Sequence, residues 1–252
     1  MTASRPLIVG NWKMHKTRAQ TRAFAEALLA MPLRLDAVDA VICPPFTALD
    51  IARHTLDGSG IGLGAQTMHW AESGAYTGEI APPMLLELGV GWVILGHSER
   101  RAMCGETDHD VNAKVRAALA HGITPIVAVG ETAEEHAAGQ ARARVEAQTR
   151  AAFTDIPADH VARCVLAYEP IWAIGSGTSD TPAQANATMG AIRAAVDGLQ
   201  HARVLYGGSV KPDNIAGFVA QPNIDGGLVG GASLEPTSFA ALLAEARKGA
   251  LA

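Results

Sequence analysis

The chain has 252 residues, 48% of them hydrophobic and 18% charged, and a formal net charge of -5. That length supports one large core or two modest ones, and the composition is that of an ordinary soluble globular protein. No basic block exists to displace counterions from a polynucleotide, which excludes a nucleic-acid surface but not a small anionic ligand held by a few local charges.

The N-terminal "MTASRPLIVGNWKMHK" holds no long apolar segment, because Asn11 and Lys13 interrupt it at once. Neither a signal peptide nor a membrane span is expected there. Cys43, Cys104 and Cys164 are far apart and form no CxxC, as reduced thiols of a cytoplasmic protein would be. Asn186-Ala187-Thr188 fits a glycosylation acceptor by pattern, but without a secretory signal it is set aside.

In chain order, short β-rich runs alternate with longer amphipathic or alanine-rich ones. A strand over 6–10 ("PLIVG") precedes a helix over 18–29, and strands over 39–44 and 62–66 precede a helix over 82–88. A strand over 92–97 leads to a helix over 108–120, and one over 124–130 to a helix over 134–152. Strands over 165–170, 203–208 and 225–231 are followed by helices over 182–200, 212–220 and 236–247. Most helices begin beside Pro, Asp, Thr or Ser, the residues that suit a helix N-terminus.

Alternating strands and helices imply parallel pairing, and runs that are apolar throughout imply strands buried on both faces. Eight such units predict an α/β chain in one domain spanning 1–252: a (β/α)8 barrel of eight parallel strands surrounded by helices, with an open doubly wound sheet as the rival. No linker or composition shift marks a second domain.

Polar or glycine-rich residues recur just after the apolar strands. Asn11 and Lys13 follow the first, His97, Ser98 and Glu99 the fourth, and Glu169 the sixth; Ser209 follows the seventh, and Gly230 and Gly231 the eighth. A barrel gathers those ends on one face. Glu169 among apolar neighbours has its charged form disfavoured, which suits a base, although the position alone reads equally well as a structural ion pair. His97 at a helix start is disfavoured as imidazolium, yet its neutral ring still donates an N–H to a carbonyl; a lone histidine at a strand end is more often structural. Lys13 could attract a phosphate and stabilise developing negative charge, where a random lysine would simply be solvated. The glycines at 175–177, 207–208 and 230–231 expose backbone N–H groups, and the last two sets lie where barrels often hold phosphate.

Other motifs fail. "GIGLGA" (60–65) overlaps a strand instead of following one, and there is no HExxH, Cys/His cluster or GxxxxGK[ST]. No metal, nucleotide or other cofactor is expected. A Schiff-base aldolase would need a lysine near the sixth strand, where Glu169 stands.

With these residues in place, the chain closely resembles the triosephosphate isomerase family over essentially its whole length. The resemblance is carried by "GNWKM" (10–14), "GAQ" (64–66), "GAYTGEI" (74–80), "LGHSERR" (95–101), "GET" (105–107), "AYEPIWAIGSG" (167–177), "YGGSV" (206–210) and "LVGGASL" (228–234). It implies cofactor-free interconversion of dihydroxyacetone phosphate and glyceraldehyde 3-phosphate in glycolysis and gluconeogenesis. Glu169 would be the base, His97 the neutral electrophile, and Lys13 and Asn11 charge-stabilising, substrate-binding groups. Gly175, Ser209, Gly230 and Gly231 would hold the phosphate, and Glu99 would support Lys13. Residues 170–180 would form a lid that excludes water from an intermediate prone to lose phosphate.

The resemblance also implies a homodimer in which the loop of "GAYTGEI" inserts into the partner, Thr77 reaching the other subunit's Asn11; Met68, Trp70 and Tyr76 are costly to expose together. The chain departs from the family pattern at Ala128 (usually Cys), Thr67 (often Asn), Cys104 (often Phe) and the trailing "TSD" of the lid. The alternatives are a related isomerase of four-carbon tetrulose phosphates and a catalytically silent phosphate-binding scaffold barrel.

Overall fold

The computed structural model describes residues 5–174 and 179–250. Eight strands close into a barrel in sequence order: β1 (Leu7–Asn11), β2 (Asp39–Cys43), β3 (Gly62–Ala65), β4 (Trp92–Leu95), β5 (Thr124–Val129), β6 (Val165–Tyr168), β7 (Arg203–Tyr206) and β8 (Gly226–Val229). All neighbours pair in parallel, and β1 closes the ring by pairing with both β2 and β8, with Val9 opposite Val41 on one side and Leu228 on the other. The open-sheet alternative is excluded by that closure.

Strand side chains alternate between two cores because their period is two. Leu7, Val9, Ile94, Ile126, Val165, Ala167, Leu205 and Leu228 belong to the cluster that fills the barrel. Ile8, Val93, Leu95, Val127, Leu166, Tyr168, Val204 and Tyr206 pack outward under the helices. The same alternation continues past the strand ends. Asn11 has the inward parity of Leu7 and Val9, Glu169 that of Val165 and Ala167, Ser209 that of Leu205, and Gly230 that of Leu228. These four residues therefore continue the inner stack at the C-terminal mouth, whereas His97 has the outward parity of Val93 and Leu95 and reaches the mouth from the loop after β4.

The surrounding helices are α1 (Arg18–Leu29), α2 (Leu49–Leu56), α3 (Pro82–Glu87), α4 (Ser98–Cys104), α5 (Asp108–Ala120), α6 (Ala133–Ala137), α7 (Ala141–Ala152), α8 (Ala158–Val161), α9 (Pro182–Ala195), α10 (Ile215–Val219) and α11 (Pro236–Gly249). Their starts follow the sequence signals. Thr17, Thr107 and Thr132 each close a reciprocal capping box, and Pro182 and Pro236 occupy the first turn of their helices.

The expected helix over 134–152 is broken, because Gly139 takes a left-handed φ of 69° between α6 and α7. The expected 182–200 stops at Ala195, where Val196 turns extended and the Arg193 guanidinium caps the carbonyls of Leu199 and Ala202. β2 to β8 end one or two residues earlier than their sequence spans, since the trailing Gly, Pro and polar residues belong to the loops, whereas β1 runs one residue further, to Asn11. No helix among the described residues is long and apolar enough to cross a membrane.

Candidate active site

A cavity of about 300 Å³ opens at the C-terminal mouth, lined by Asn11, Lys13, His97, Glu169, Ser209, Gly230 and Gly231. These residues lie up to some two hundred positions apart in sequence, and barrel closure makes them neighbours. Gly175 lies outside the described residues.

His97 is the N-cap of α4, with Ser98 its first helical residue; its Nδ1 accepts the backbone N–H of Glu99 at 3.1 Å. A ring nitrogen that accepts carries no proton, so the neutral ring holds its proton on Nε2. That N–H is 3.1 Å from Oε1 of Glu169. The other Glu169 oxygen accepts the Ser98 N–H at 3.0 Å. Glu169 is 2% exposed and His97 5%, so both are nearly withdrawn from water at the floor of the cavity. The backbone N–H of Glu169 donates to Val129 at 2.8 Å, which fixes the end of β6 against that of β5.

Lys13 adopts a φ of 52°, uncommon for a residue with a side chain, and its N–H donates to the Asn11 carboxamide oxygen at 3.0 Å. Strained backbone of this kind persists where surrounding contacts over-determine it. Gln66 supplies such contacts: its amide nitrogen donates to the carbonyls of Lys13 at 2.8 Å and Cys43 at 2.9 Å. The Lys13 ammonium meets Glu99 Oε1 at 2.5 Å. Glu99 is therefore in contact with Lys13 but does not line the cavity.

Thr77 is not brought to this cavity within one chain. It lines a separate surface hollow with His69, Tyr76, Cys104 and Lys114. Of the three apolar residues expected to share that exposed loop, Met68 is fully buried, while Trp70 and Tyr76 are 38% and 47% exposed and pack on His69. Ala128 is enclosed in the core, and Thr67 accepts a hydrogen bond from Lys114 at 3.3 Å. Among the described residues no group of three or more His, Cys, Asp or Glu side chains gathers as a metal site would.

Several residues of the site escaped the sequence reading. Glu131, fully buried beyond β5, accepts the Tyr168 hydroxyl at 3.0 Å and the Trp172 indole N–H at 2.8 Å, anchoring the short turn Ile171–Ala173. Beyond the undescribed 175–178, the Asp180 N–H donates to the Tyr206 hydroxyl at 3.0 Å. Burial raises the Asp180 carboxyl above its ordinary range, against the opposing Thr181 N–H. Lys211 also lines the cavity. Glu131 and Lys211 carry the one available signal, a charged residue just past a strand end.

A buried carboxylate facing a neutral imidazole N–H, beside a lysine and glycine-rich loops on a barrel mouth, is an arrangement for moving protons on a small anionic carbonyl compound. The family profile described as triosephosphate isomerase matches residues 6–246. The chain belongs to the triosephosphate isomerase family. It is 50% identical to the triosephosphate isomerase of Symbiobacterium thermophilum, over 96% of each chain. It is 52% identical to that of Chloroflexus aurantiacus, over 93% of this chain and 96% of the relative. The triosephosphate isomerase of Herpetosiphon aurantiacus is 50% identical over 93% and 96%.

Proposed function

We propose that the chain is a triosephosphate isomerase, interconverting dihydroxyacetone phosphate and D-glyceraldehyde 3-phosphate without a cofactor. The observation that carries the reading is the 3.1 Å contact between His97 Nε2 and the buried Glu169 carboxylate inside a cavity that also holds Lys13. Relatives of that name, 50% and 52% identical over 96% and 93% of this chain, support the same substrate.

In this reading the substrate displaces the 3.1 Å His97–Glu169 contact, its carbonyl oxygen taking the place of Glu169 Oε1 at the His97 Nε2–H. A Glu169 oxygen takes a proton from the carbon beside the carbonyl, and the C–H electron pair forms the enediolate carbon–carbon double bond. The former carbonyl oxygen becomes negative and is met by the His97 Nε2–H and the Lys13 ammonium. Proton exchange through His97 between the two adjacent oxygens moves the charge, and Glu169 returns its proton to the neighbouring carbon. No electrons leave the substrate, so no redox partner is required. Asn11 orients Lys13, while Ser209 and the N–H groups of Gly230 and Gly231 receive the phosphate. Gly175 would add to them from the lid.

The same reading makes residues 1–252 one domain, supported by the closed ring and by packing of α11 on α1. It also makes the protein a cytoplasmic homodimer. Exposed Met14, Tyr76 and Met103 support an apolar contact near the mouth, with Thr77 reaching the partner's site.

The test is turnover of the purified chain in deuterated water. Triose phosphate isomerisation with deuterium entering the carbon next to the carbonyl is expected. A much higher kcat/KM for a tetrulose phosphate, or no isomerisation by a well-folded protein, would refute it.

A further inference from the structure

We propose that Lys211 is the residue that captures the substrate: its ammonium, at the rim of the cavity, supplies the attractive field that draws a dianion in from solution. The inference rests on the triose phosphate reading above and adds a residue to it.

The argument is a charge count. The cavity wall carries three formal charges, those of Lys13, Glu169 and Lys211, while His97 is neutral in the tautomer fixed by the Glu99 N–H. Lys13 is already neutralised by Glu99 at 2.5 Å. Without Lys211 the mouth would present the net negative charge of Glu169, on a chain whose overall charge is -5. A phosphorylated substrate carrying two negative charges would then be repelled at the point of entry.

Lys211 cancels that charge and places the compensating cation at the entrance. Its side chain is exposed, and among the described residues it makes no hydrogen bond or ion pair that would spend its charge. Its place at the rim is nonetheless fixed. Its backbone N–H donates to Asn214 Oδ1 at 2.8 Å, and the Asn214 amide donates to the Ser209 carbonyl at 2.9 Å. The turn that presents Ser209 to the phosphate therefore also holds Lys211 beside it. An exposed cation with no partner contributes to long-range steering and little to binding within the closed site. Where encounter limits an enzyme, capture of the substrate governs kcat/KM and leaves kcat alone.

The experiment compares kcat/KM for wild type, Lys211→Gln, Lys211→Glu and Lys211→Arg across ionic strength. At low salt Lys211→Gln is expected to lose about fivefold, the effect of a unit charge on a dianion across roughly 8 Å of water, and Lys211→Glu about twenty-five-fold. Lys211→Arg retains wild-type capture. The loss appears in kcat/KM rather than kcat, and shrinks below about twofold near 0.5 M salt, where screening is complete within a few ångströms. A loss of equal size at every salt concentration, a loss in kcat, or no loss overturns the proposal. Stopped-flow association of inorganic phosphate with the same variants separates the two claims. A salt-dependent gap in its association rate without triose turnover sinks the isomerase reading alone, while turnover without any such gap sinks the role of Lys211.

Discussion

Adding one methyl group at Gly130 is predicted to disable the site while leaving a folded barrel. Gly130 lies just past β5, and a β carbon there would stand 1.8 Å from the Glu169 carbonyl oxygen and 2.8 Å from its carbonyl carbon. Ordinary contact begins near 3.3 Å, so the Glu169 backbone must retreat by about 1.5 Å. It cannot do so freely, because the Glu169 N–H is bonded to Val129 and the Gly130 N–H to Gln148, both at 2.8 Å. Overpacking of this kind costs about 1–3 kcal/mol. For a chain of this length that lowers Tm by roughly 3–10 °C. Displacing a catalytic group by about 1 Å costs on the order of 100-fold, so Gly130→Ala should lose at least about that in kcat. Gly207→Ala is the comparison: its β carbon would meet the flexible Glu169 Cγ at 3.0 Å and the Tyr168 carbonyl at 3.1 Å, a milder conflict. Steady-state kinetics with thermal unfolding, at one fixed protein concentration, measure both. A Gly130→Ala enzyme within about threefold of wild-type kcat, or less impaired than Gly207→Ala, would refute the packing argument.

Two further perturbations probe charge beneath and beside the site. Lys114 and Glu106 are 4% and 7% exposed and form a buried pair, and Glu106 also accepts the Gly96 N–H at 3.2 Å, next to His97. Lys114→Met strands the carboxylate with only Arg100 nearby at 3.5 Å and should cost about 3 kcal/mol, of which Glu106→Gln in the same chain recovers a large part; a cost below about 1 kcal/mol in denaturant titration contradicts this. Asp180, 7% exposed, has its carboxyl raised above 3.8 chiefly by burial, so the folded protein holds that proton more tightly than the unfolded chain and loses stability as pH rises from 3.8 through the raised value. Asp180→Asn keeps an acceptor for the Thr181 N–H and escapes the loss. It should match or exceed wild-type Tm at pH 7, with any gain shrinking as the pH falls toward 3.8. A destabilised variant at pH 7 that recovers in acid would reverse the sign.

Much of this molecule can be read from its sequence because its determinants are local. Runs such as "PIVAV" and "VLAY" are apolar throughout, as only doubly covered strands are, and Glu169 directly after the second carries polarity into the mouth. Asn11, Lys13, His97, Ser209, Gly230 and Gly231 were found that way, as was Glu169. What stayed hidden depends on contacts distant in sequence. The division of 134–152 turned on one backbone angle at Gly139. Glu131 looked like any polar residue of a helix start until Tyr168 and Trp172, some forty residues on, were seen to donate to it. His97 proved to be its own helix cap, and that fixes its tautomer, which no spacing reveals.

The central claim is that Glu169 moves the proton. The most direct measurement is turnover and solvent-deuterium exchange by Glu169→Gln, which keeps the shape and an acceptor for Ser98 N–H but removes the base. The account predicts a loss of roughly 10²–10⁴-fold in kcat and in exchange, with inorganic phosphate still bound and the fold unchanged. A Glu169→Gln protein that isomerises and exchanges within about tenfold of wild type would contradict it.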